Sequence, residues 1–346
     1  MRILQVMAGA EKGGAEKFFD RLIPALAQRR LQQYVVCRSH PARLQHFKAY
    51  DIPVTTAPFR RILDFQTKGV IRRTIDHFKP EIVMTWMSRA SHLCPSGNFV
   101  GVARLGGYYD LKYYQKADYL IGNTAHIQQY FIEEGWPSTK TAYLPNFVDP
   151  PADVLPQPRA LYNTPEDVFL ILSMGRFHDD KAFDILIPAL ASLSSVYLWL
   201  AGEGEREASL RALAQRHGVQ DRVRFIPWQQ NVGALYRAAD AYICPSRIEP
   251  LGNVIIEAWA YGLPVIAAKS TGAVGLIQDG KNGLLTPIND INALAHAIQR
   301  VQQDSTLAAT LTESGEKTYL THFTDDKVCT QYIDFFNKIL QASQKV

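Results

Sequence analysis

The chain has 346 residues, 47% of them hydrophobic and 20% charged, which is enough for two globular domains of ordinary composition. No apolar run approaches the roughly 18 residues that span a bilayer, and the apolar start of the chain is too short for a signal peptide. The four cysteines lie far apart with no CxxC pair, so a zinc signature and a disulfide framework are excluded and a reducing, cytoplasmic location is expected.

Charge is spread unevenly along the chain. Residues 1–150 carry 20 basic and 12 acidic residues, whereas the remainder carries 17 basic and 21 acidic residues. The positive excess in the first half favours an acidic partner, either a phosphorylated acceptor or an anionic membrane surface. A solvated face that keeps the protein soluble explains the charge equally well. Nucleic acid is not expected, because no recognisable binding module accompanies the basic residues.

Strand-like and helical patterns alternate from the N-terminus onward, which is typical of a parallel sheet covered on both faces. The predicted strands of the first half are Arg2–Met7, Tyr34–Arg38, Val54–Pro58, Glu81–Trp86, Asn98–Arg104, Tyr119–Gly122 and Thr141–Leu144. The helical patterns that separate most of them include Ala15–Gln28, Val70–Phe78 and Ile127–Glu134. A proline-rich stretch, residues 145–167, then interrupts the alternation and is the best candidate for a linker.

The alternation restarts after this stretch. The predicted strands are Phe169–Met174, Tyr197–Ala201, Val223–Pro227, Ala241–Cys244 and Val265–Ala268. The predicted helices are Phe183–Leu193, Glu207–Gln215, Val232–Ala238, Val254–Ala260, Asn292–Gln302 and an amphipathic tail helix, Lys327–Leu340. We therefore predict an α/β protein of two Rossmann-like domains with parallel sheets facing a cleft, residues 1–150 and 165–326, which bind ligands at the carboxyl ends of the strands.

The most informative stretch is residues 246–260, where a turn precedes an almost wholly apolar helix that contains one acid, Glu257. A carboxylate in a buried helix needs a partner, and the two vicinal hydroxyls of a ribose can both donate to it. The start of the helix, at Leu251, Gly252 and Asn253, presents free amides and a positive dipole to a phosphate. Glu249, in the turn, is able to reach the same cleft. The alternative for Glu257 is a structural pair with a buried arginine.

Two further constellations follow predicted strands. Arg176 and Lys181 lie at a strand–helix junction, where two cations suit a diphosphate that gains negative charge as a leaving group, although surface solvation explains many such pairs. Gly13 and Gly14 precede the first helix, where they let backbone amides approach an anion. Their spacing fits neither a dinucleotide fingerprint nor a P-loop, which disfavours a dehydrogenase or an ATPase. A tight turn without ligand is the alternative for this loop.

These motifs, in this order, resemble the GT-B glycosyltransferases of the retaining family 4 type, which includes bacterial enzymes of lipopolysaccharide, capsule and glycolipid synthesis. The most specific element is the Glu-x7-Glu motif, matched by Glu249 and Glu257. The resemblance implies that Glu257 binds the donor ribose and Glu249 the donor sugar, that Arg176 and Lys181 bind the diphosphate, and that the glycine loops fall on Gly13, Gly14, Gly202 and Gly204. It also implies that the last helix, within residues 327–344, returns to the N-terminal domain.

The sequence departs from this family at two places. Where many members carry a histidine after the fifth strand, this chain has none, so Asp110, Arg104 and His92 are the candidates near the reacting sugar. A usual glycine is replaced by Pro227-Trp228, which leaves the recognition of the base open. No Asp-x-Asp motif occurs, so we predict a metal-independent enzyme without a cofactor, whose donor is a nucleoside diphosphate sugar.

The expected reaction transfers the sugar, with retention, to a hydroxyl of a glycan or lipid-linked acceptor, with a lipopolysaccharide core as the leading hypothesis. A sugar-nucleotide epimerase of the same architecture and a non-catalytic sugar-nucleotide sensor are the alternatives. The segment Phe59–Phe65, which includes Arg60 and Arg61, mixes apolar and basic side chains and is followed by Lys68, Arg72 and Arg73. Such a surface suits an anionic membrane and predicts a cytoplasmic enzyme that associates peripherally with it.

Overall fold

The computed structural model describes residues 1–11, 13–60, 64–148, 153–229 and 231–343. They form two compact units, one of Met1–Phe147 with Asp325–Val346 and the other of Val148–Thr324. The predicted α/β class with two parallel sheets is confirmed. Of the residues singled out from the sequence, Arg61 and four members of the predicted linker, 149–152, lie outside the described residues.

The first unit is built on a seven-stranded parallel sheet with the order β3-β2-β1-β4-β5-β6-β7. Its strands are β1 Arg2–Met7, β2 Gln32–Cys37, β3 Val54–Thr56, β4 Ile82–Trp86, β5 Val100–Leu105, β6 Tyr119–Gly122 and β7 Thr141–Tyr143. The residues of β4 and β5 are all buried, because helices cover both faces of a parallel sheet. The predicted strands are therefore present, with shifts of one or two residues at several ends.

Six α-helices lie within the described residues of this unit. They are α1 Gly14–Gln28, α2 Pro41–Lys48, α3 Phe65–Phe78, α4 Ser88–Leu93, α5 Ala125–Glu133 and, from the end of the chain, α13 Asp325–Ser343. Val328, Tyr332 and Phe336 of α13 are buried in one apolar cluster with Phe18 and Leu22 of α1. Their spacing of four residues places these side chains on one face of each helix. The tail helix thus packs on the unit that contains the N-terminus.

The second unit contains a six-stranded parallel sheet with the order β10-β9-β8-β11-β12-β13. Its strands are β8 Phe169–Met174, β9 Val196–Ala201, β10 Val223–Ile226, β11 Ala241–Cys244, β12 Val265–Ala268 and β13 Leu284–Thr286. The helices are α6 Phe183–Ala189, α7 Glu207–Arg216, α8 Gly233–Ala238, α9 Asn253–Ala260, α10 Thr271–Leu276, α11 Ile291–Gln303 and α12 Ser305–His322. The sequence analysis did not predict β13, α10 or α12.

Each sheet has one point at which the order of its strands reverses. In the first sheet β2 and β3 lie on one side of β1, and the chain then returns to place β4 on the other side. In the second sheet β9 and β10 lie on one side of β8, and β11 lies on the other. Loops at the carboxyl ends of the strands diverge at such a point and leave a crevice, which is where open α/β sheets bind ligands.

Candidate functional site

The loops that follow β8 and β11 lie at the switch point of the second sheet, and an ion pair joins them. Nζ of Lys181 lies 2.5 Å from Oε2 of Glu249, and their side chains are only 24% and 12% exposed. Gly252 N–H donates to the other carboxylate oxygen of Glu249 at 3.3 Å. The structure therefore brings together two residues that the sequence analysis placed in separate motifs. A cation and an acid are held side by side where a ligand of this sheet is expected.

Two glycines let the loop after β9 lie directly against the loop after β8. A Cβ on Gly202 would lie 2.0 Å from the carbonyl oxygen of Gly175, and one on Gly204 would lie 2.6 Å from that of Phe177. Their φ values of 151° and 158° also disfavour any residue with a side chain. The Phe177 N–H donates to the carbonyl of Glu203 at 2.9 Å, which joins the loops. Both glycines thus have a packing function, and their contact with a donor stays a prediction.

Arg176 occupies the loop that these contacts hold in place. Its side chain is exposed, and the structure records no ion pair or hydrogen bond for its guanidinium among the described residues. The next side chain, Phe177, is buried and makes an edge-on contact with the ring of Phe183. The loop is therefore anchored by Phe177, while the charge of Arg176 faces solvent and is available to an anion.

Helix α9 begins at Asn253 behind Gly252, whose left-handed conformation (φ 81°) forms the N-terminal cap. Leu251, before the cap, is buried, so that only its backbone can contact a ligand. Glu257 is less buried than expected: its side chain is partly buried, because Asn253, Val254 and Glu257 form the face of α9 that its neighbours cover least.

Glu257 contacts a buried tyrosine. The hydroxyl of Tyr236 donates to Oε2 of Glu257 at 3.2 Å, and the ring of Tyr236 stacks on that of Tyr261 with 5.0 Å between centroids. Burial, followed by the charge of Glu257, raises the pKa of Tyr236 well above its ordinary value, so the hydroxyl is a permanent donor. The acid is thus oriented by a fixed partner and remains accessible on one side.

Arg247 is a residue of this site that the sequence analysis missed. Its guanidinium binds both carboxylate oxygens of Asp184, at 2.8 and 2.7 Å, and donates to Oδ1 of Asn289 at 2.6 Å. Burial opposes ionisation of Asp184, but the hydrogen bonds and the charge of Arg247 outweigh it and lower the pKa of the carboxyl. Arg247 therefore ties the loop after β11 to α6 and to the segment after β13. The signal in the sequence that could have identified Arg247 is its position shortly after the predicted strand Ala241–Cys244.

The glycine loop after β1 already contains an anion, which is the carboxylate of Glu16. Ala10 N–H donates to Oε1 of Glu16 at 2.9 Å, and a Cβ on Gly13 would lie 2.2 Å from Oε2. Glu16 is only 4% exposed. A Cβ at Gly13 would therefore displace this carboxylate, whereas the space beside Gly14 is open. A role of Gly13 and Gly14 in donor binding stays a prediction.

The three candidates to replace the missing histidine lie in different environments. Arg104 is buried, donates to the hydroxyl of Tyr332 at 2.8 Å and lies 4.5 Å from the ring centroid of Phe18, so it holds the core together and is not available to a sugar. His92 is exposed. Asp110 is also exposed, and its hydrogen bond from Lys112 lowers the pKa of its carboxyl, which makes it a weaker base.

Two negative findings apply to the part of the chain that the structure describes. No three His, Cys, Asp or Glu side chains within it converge as a metal site. Within the same residues, no helix combines the length and the apolarity needed to cross a membrane.

Comparison with known proteins identifies the family. Residues 157–318, which contain Arg176, Lys181, Glu249 and Glu257, match the family described as glycosyl transferases group 1. The lipopolysaccharide core biosynthesis glycosyltransferase LpsE of Rhizobium meliloti is 35% identical over 336 residues, which cover 93% of this chain and 95% of that protein. The chain belongs to the group 1 glycosyltransferases. The predicted activity class, sugar transfer, is confirmed by this membership.

This glycosyltransferase also shares its fold with enzymes of much lower sequence identity. A glycosyltransferase from Rickettsia africae superimposes with a TM-score of 0.88 at 20% identity, over 98% of both chains. Anabaena Alr3699/HepE, solved with UDP and glucose, superimposes with a TM-score of 0.77 at 22% identity, over 98% of this chain and 100% of that one. The architecture is therefore retained across sequences that have diverged widely.

Proposed function

We propose that this glycosyltransferase transfers a sugar from a nucleoside diphosphate sugar, with retention and without a metal ion, to an acceptor of the lipopolysaccharide core. The observation that carries the proposal is the Lys181–Glu249 pair at the switch point of the second sheet, with exposed Arg176 in the same loop as Lys181. UDP is the first nucleotide to test, because Anabaena Alr3699/HepE binds it. The name of LpsE supports the lipopolysaccharide core as the destination.

In the proposed reaction the bond between the anomeric carbon and the diphosphate oxygen breaks, and a bond from the acceptor oxygen forms on the same face of the sugar. The acceptor proton passes to the departing phosphate, so that no strong general base is required. Arg176 and Lys181 stabilise the charge that develops on the diphosphate. The weak basicity of Asp110 is compatible with this scheme, since no protein base takes the proton.

Glu249 has two functions in this scheme. Its ion pair keeps Lys181 in one position, so that the cation does not have to reorganise when the diphosphate leaves. Its second oxygen accepts from the Gly252 N–H, which ties the acid to the start of α9. In this scheme the cationic side chains of Arg176 and Lys181 take the role that a divalent ion has in other transferases.

The test is turnover by purified enzyme with a panel of UDP-, GDP- and ADP-sugars and a lipopolysaccharide core fraction as acceptor. We expect release of nucleoside diphosphate together with a new glycosidic bond, whose anomeric configuration is read by NMR. Release of an epimerised sugar nucleotide without acceptor would identify an epimerase instead. Donor binding with no turnover would identify a sensor. EDTA is expected to leave the rate unchanged, and a loss that magnesium or manganese restores would refute metal independence.

Association with an anionic membrane surface is the second part of the proposal. Phe65 is 71% exposed at the start of α3, and Lys68, Arg72 and Arg73 are exposed on the same helix. Phe59, which the sequence analysis included in this surface, is buried instead, because its ring packs in an apolar cluster that includes Val6 of β1 and Ile71 of α3. An apolar ring beside several cations is the arrangement that binds an anionic interface, with about 1 kcal/mol per basic residue.

Sedimentation with vesicles tests this part. We expect binding to vesicles that contain anionic lipid, weaker binding in high salt, and loss of binding when Lys68, Arg72 and Arg73 are changed to serine. A control with equal loss of charge changes Arg216, Lys281 and Arg300, exposed cations of the second unit, to serine. Equal recovery with anionic and neutral vesicles, or equal loss in both triple variants, would refute membrane binding through α3 and leave the transferase assignment intact.

A further inference from the structure

A second cluster of charge lies at the carboxyl edge of the first sheet. Arg38 follows β2 and Arg89 follows β4, two strands that flank β1. Nη2 of Arg38 donates to the carbonyl oxygen of Phe59 at 2.7 Å, and Nη1 of Arg89 donates to the same oxygen at 3.1 Å. Two guanidinium groups, one from the loop after β2 and one from the first turn of α4, therefore meet within a few ångströms of each other.

No carboxylate of the described residues is in direct contact with this pair. Neither arginine forms an ion pair within the residues that the structure describes. Asp64 uses its carboxylate to accept from Thr67 N–H at 3.0 Å, from the Thr67 hydroxyl at 2.6 Å and from Arg60 N–H at 2.6 Å. Burial, and then the neighbouring charge of Arg89, lower the pKa of Arg38, and the charge of Asp64 opposes them only in part. Two half-buried like charges without a counterion in contact are unfavourable, so an anion that binds them relieves the repulsion.

Several donors of the pair are left for a ligand. Nη1 of Arg38 and the Nε and Nη2 atoms of Arg89 have no acceptor among the described residues and are not enclosed. In contrast, Nε of Arg38 and Nε2 of His40 are enclosed and have no hydrogen-bond partner within the described chain. The accessible nitrogens present a fork of donors, which is the geometry that binds a phosphate through two or more oxygens.

Backbone strain is concentrated in the same place. Phe59, which provides the shared carbonyl, has a φ of 46°, and Met87, two residues before Arg89, has a φ of 72°. Residues other than glycine rarely adopt this region, and such strain is frequent at ligand sites. Phe59, whose carbonyl oxygen accepts from both guanidinium groups, is thus held in an unfavourable conformation by the surrounding fold. The cluster also lies at the switch point of the sheet, between β1 and β4, where a ligand is expected.

We propose that Arg38 and Arg89 bind a phosphate group carried by the sugar acceptor, an inference that rests on the proposed function of the second unit. Two positive charges match a phosphomonoester dianion, whereas a carboxylate would leave one charge unmatched. The tetrahedral oxygens of a phosphate also satisfy donors that approach from two segments, which a planar carboxylate does not do as well. The site selects an acceptor that already carries a phosphate group.

The first experiment measures the binding of inorganic phosphate to the full chain at constant ionic strength, with chloride as the replaced anion. Phosphate is expected to raise the melting temperature of the wild-type protein, because it binds the folded state. Arg38→Gln and Arg89→Gln are each expected to weaken phosphate binding at least tenfold, while Arg30→Gln, an exposed cation of the same unit, leaves it unchanged. No effect of phosphate on the wild type, or equal loss in all three variants, would overturn the proposal.

The second experiment identifies the source of the phosphate. Glucose 6-phosphate is expected to bind more tightly than either glucose or inorganic phosphate, and vesicles with a phosphate headgroup are expected not to compete with it. Competition by vesicles would assign the arginines to a lipid surface and overturn an acceptor site. UDP binding is expected to be the same in both variants as in the wild type, which also shows that they fold, and loss of UDP binding would place the arginines in the donor site instead.

The third measurement separates this inference from the proposed function. With a phosphorylated core acceptor, Arg89→Gln is expected to raise KM for the acceptor at least tenfold with little change in KM for the donor. For the same variant, KM is expected to be equal for the phosphorylated and the dephosphorylated acceptor. If no nucleotide sugar is turned over by any variant, the proposed function fails while the phosphate-binding result still stands. If turnover is normal and insensitive to acceptor phosphate, the acceptor site fails alone.

Discussion

The cations at the two switch points of this glycosyltransferase differ in whether acidic side chains balance their charge. In the second unit Lys181 is paired with Glu249 and Arg247 with Asp184, so that most of the positive charge is balanced within the protein. In the first unit Arg38 and Arg89 share a carbonyl oxygen and have no acidic partner in the described chain. The same topology has therefore produced one edge with internal counterions and one edge without them.

The difference has a physical consequence. A cation that is already paired has lost its freedom to reorganise and can act on charge that develops during a reaction. A pair of unbalanced cations is instead stabilised most by a ligand that is already negatively charged before the reaction. Such a pair therefore binds an anionic ligand selectively in its ground state. We interpret the second edge as equipped for catalysis and the first edge as equipped for recognition.

The largest expected effect concerns turnover at the paired edge. Lys181→Ala and Arg176→Ala are each expected to lower kcat by about 10²–10³-fold, because each removes charge that stabilises the leaving diphosphate, an effect of about 2–4 kcal/mol. The measurement is steady-state transfer at saturating donor. Near-wild-type kcat in either variant would remove that residue from the catalytic group, and equal losses from Arg38→Ala would erase the distinction between the two edges.

A packing change tests how rigidly the paired edge must be held. A Cβ on Gly272 of α10 would lie 2.4 Å from the carbonyl oxygen of Glu249, whereas one on Gly275 of the same helix would contact nothing within 4 Å. Gly272→Ala is expected to destabilise the protein by about 1–3 kcal/mol and to weaken donor binding, because it displaces the turn that carries Glu249. Gly275→Ala is expected to be neutral or to stabilise by up to about 1 kcal/mol. Equal urea midpoints of unfolding for the Gly272→Ala and Gly275→Ala variants would contradict this prediction.

Charge removal is expected to affect stability differently at the two edges. Lys181→Gln leaves Glu249, whose side chain is 12% exposed, without its counterion and is expected to destabilise the protein by about 1–3 kcal/mol. Arg89→Gln relieves repulsion and is expected to change the free energy of unfolding by less than about 0.5 kcal/mol in phosphate-free buffer. Denaturation in urea measures both. A larger loss from Arg89→Gln than from Lys181→Gln would reverse the interpretation.

The smallest expected effect concerns Glu257. Glu257→Gln keeps an acceptor for the Tyr236 hydroxyl but removes the charge, so donor affinity is expected to fall about tenfold, or about 1.4 kcal/mol, while the melting temperature changes little. Titration with UDP measures the affinity. Glu313→Gln, which makes the same chemical change on α12, serves as the control. Normal donor affinity with a much lower melting temperature would show that Glu257 is structural.

The success of the sequence analysis depended on local patterns. Alternating strands and helices predicted both sheets, because the burial of a parallel strand on two faces leaves a continuous apolar run, as in β4. The short strand β13 and the helices α10 and α12 were missed, because their periodicity is weak and their neighbours along the chain are similar in composition. The Glu-x7-Glu spacing identified the family, but it did not predict that Glu257 lies on the least covered face of α9.

The sequence by itself determined the fold class, the transferase family and the residue types of the donor motifs, because these depend on short-range periodicity and spacing. Only the tertiary structure decided which charges meet. Lys181 and Glu249 lie 68 residues apart, and Arg38 and Arg89 belong to segments that follow different strands, a loop after β2 and helix α4 after β4. No local pattern encodes such distances, since they depend on the strand order, which places β11 beside β8 and lets β2 and β4 flank β1. The balance of charge at each edge, and with it the division between catalysis and recognition, follows from that order.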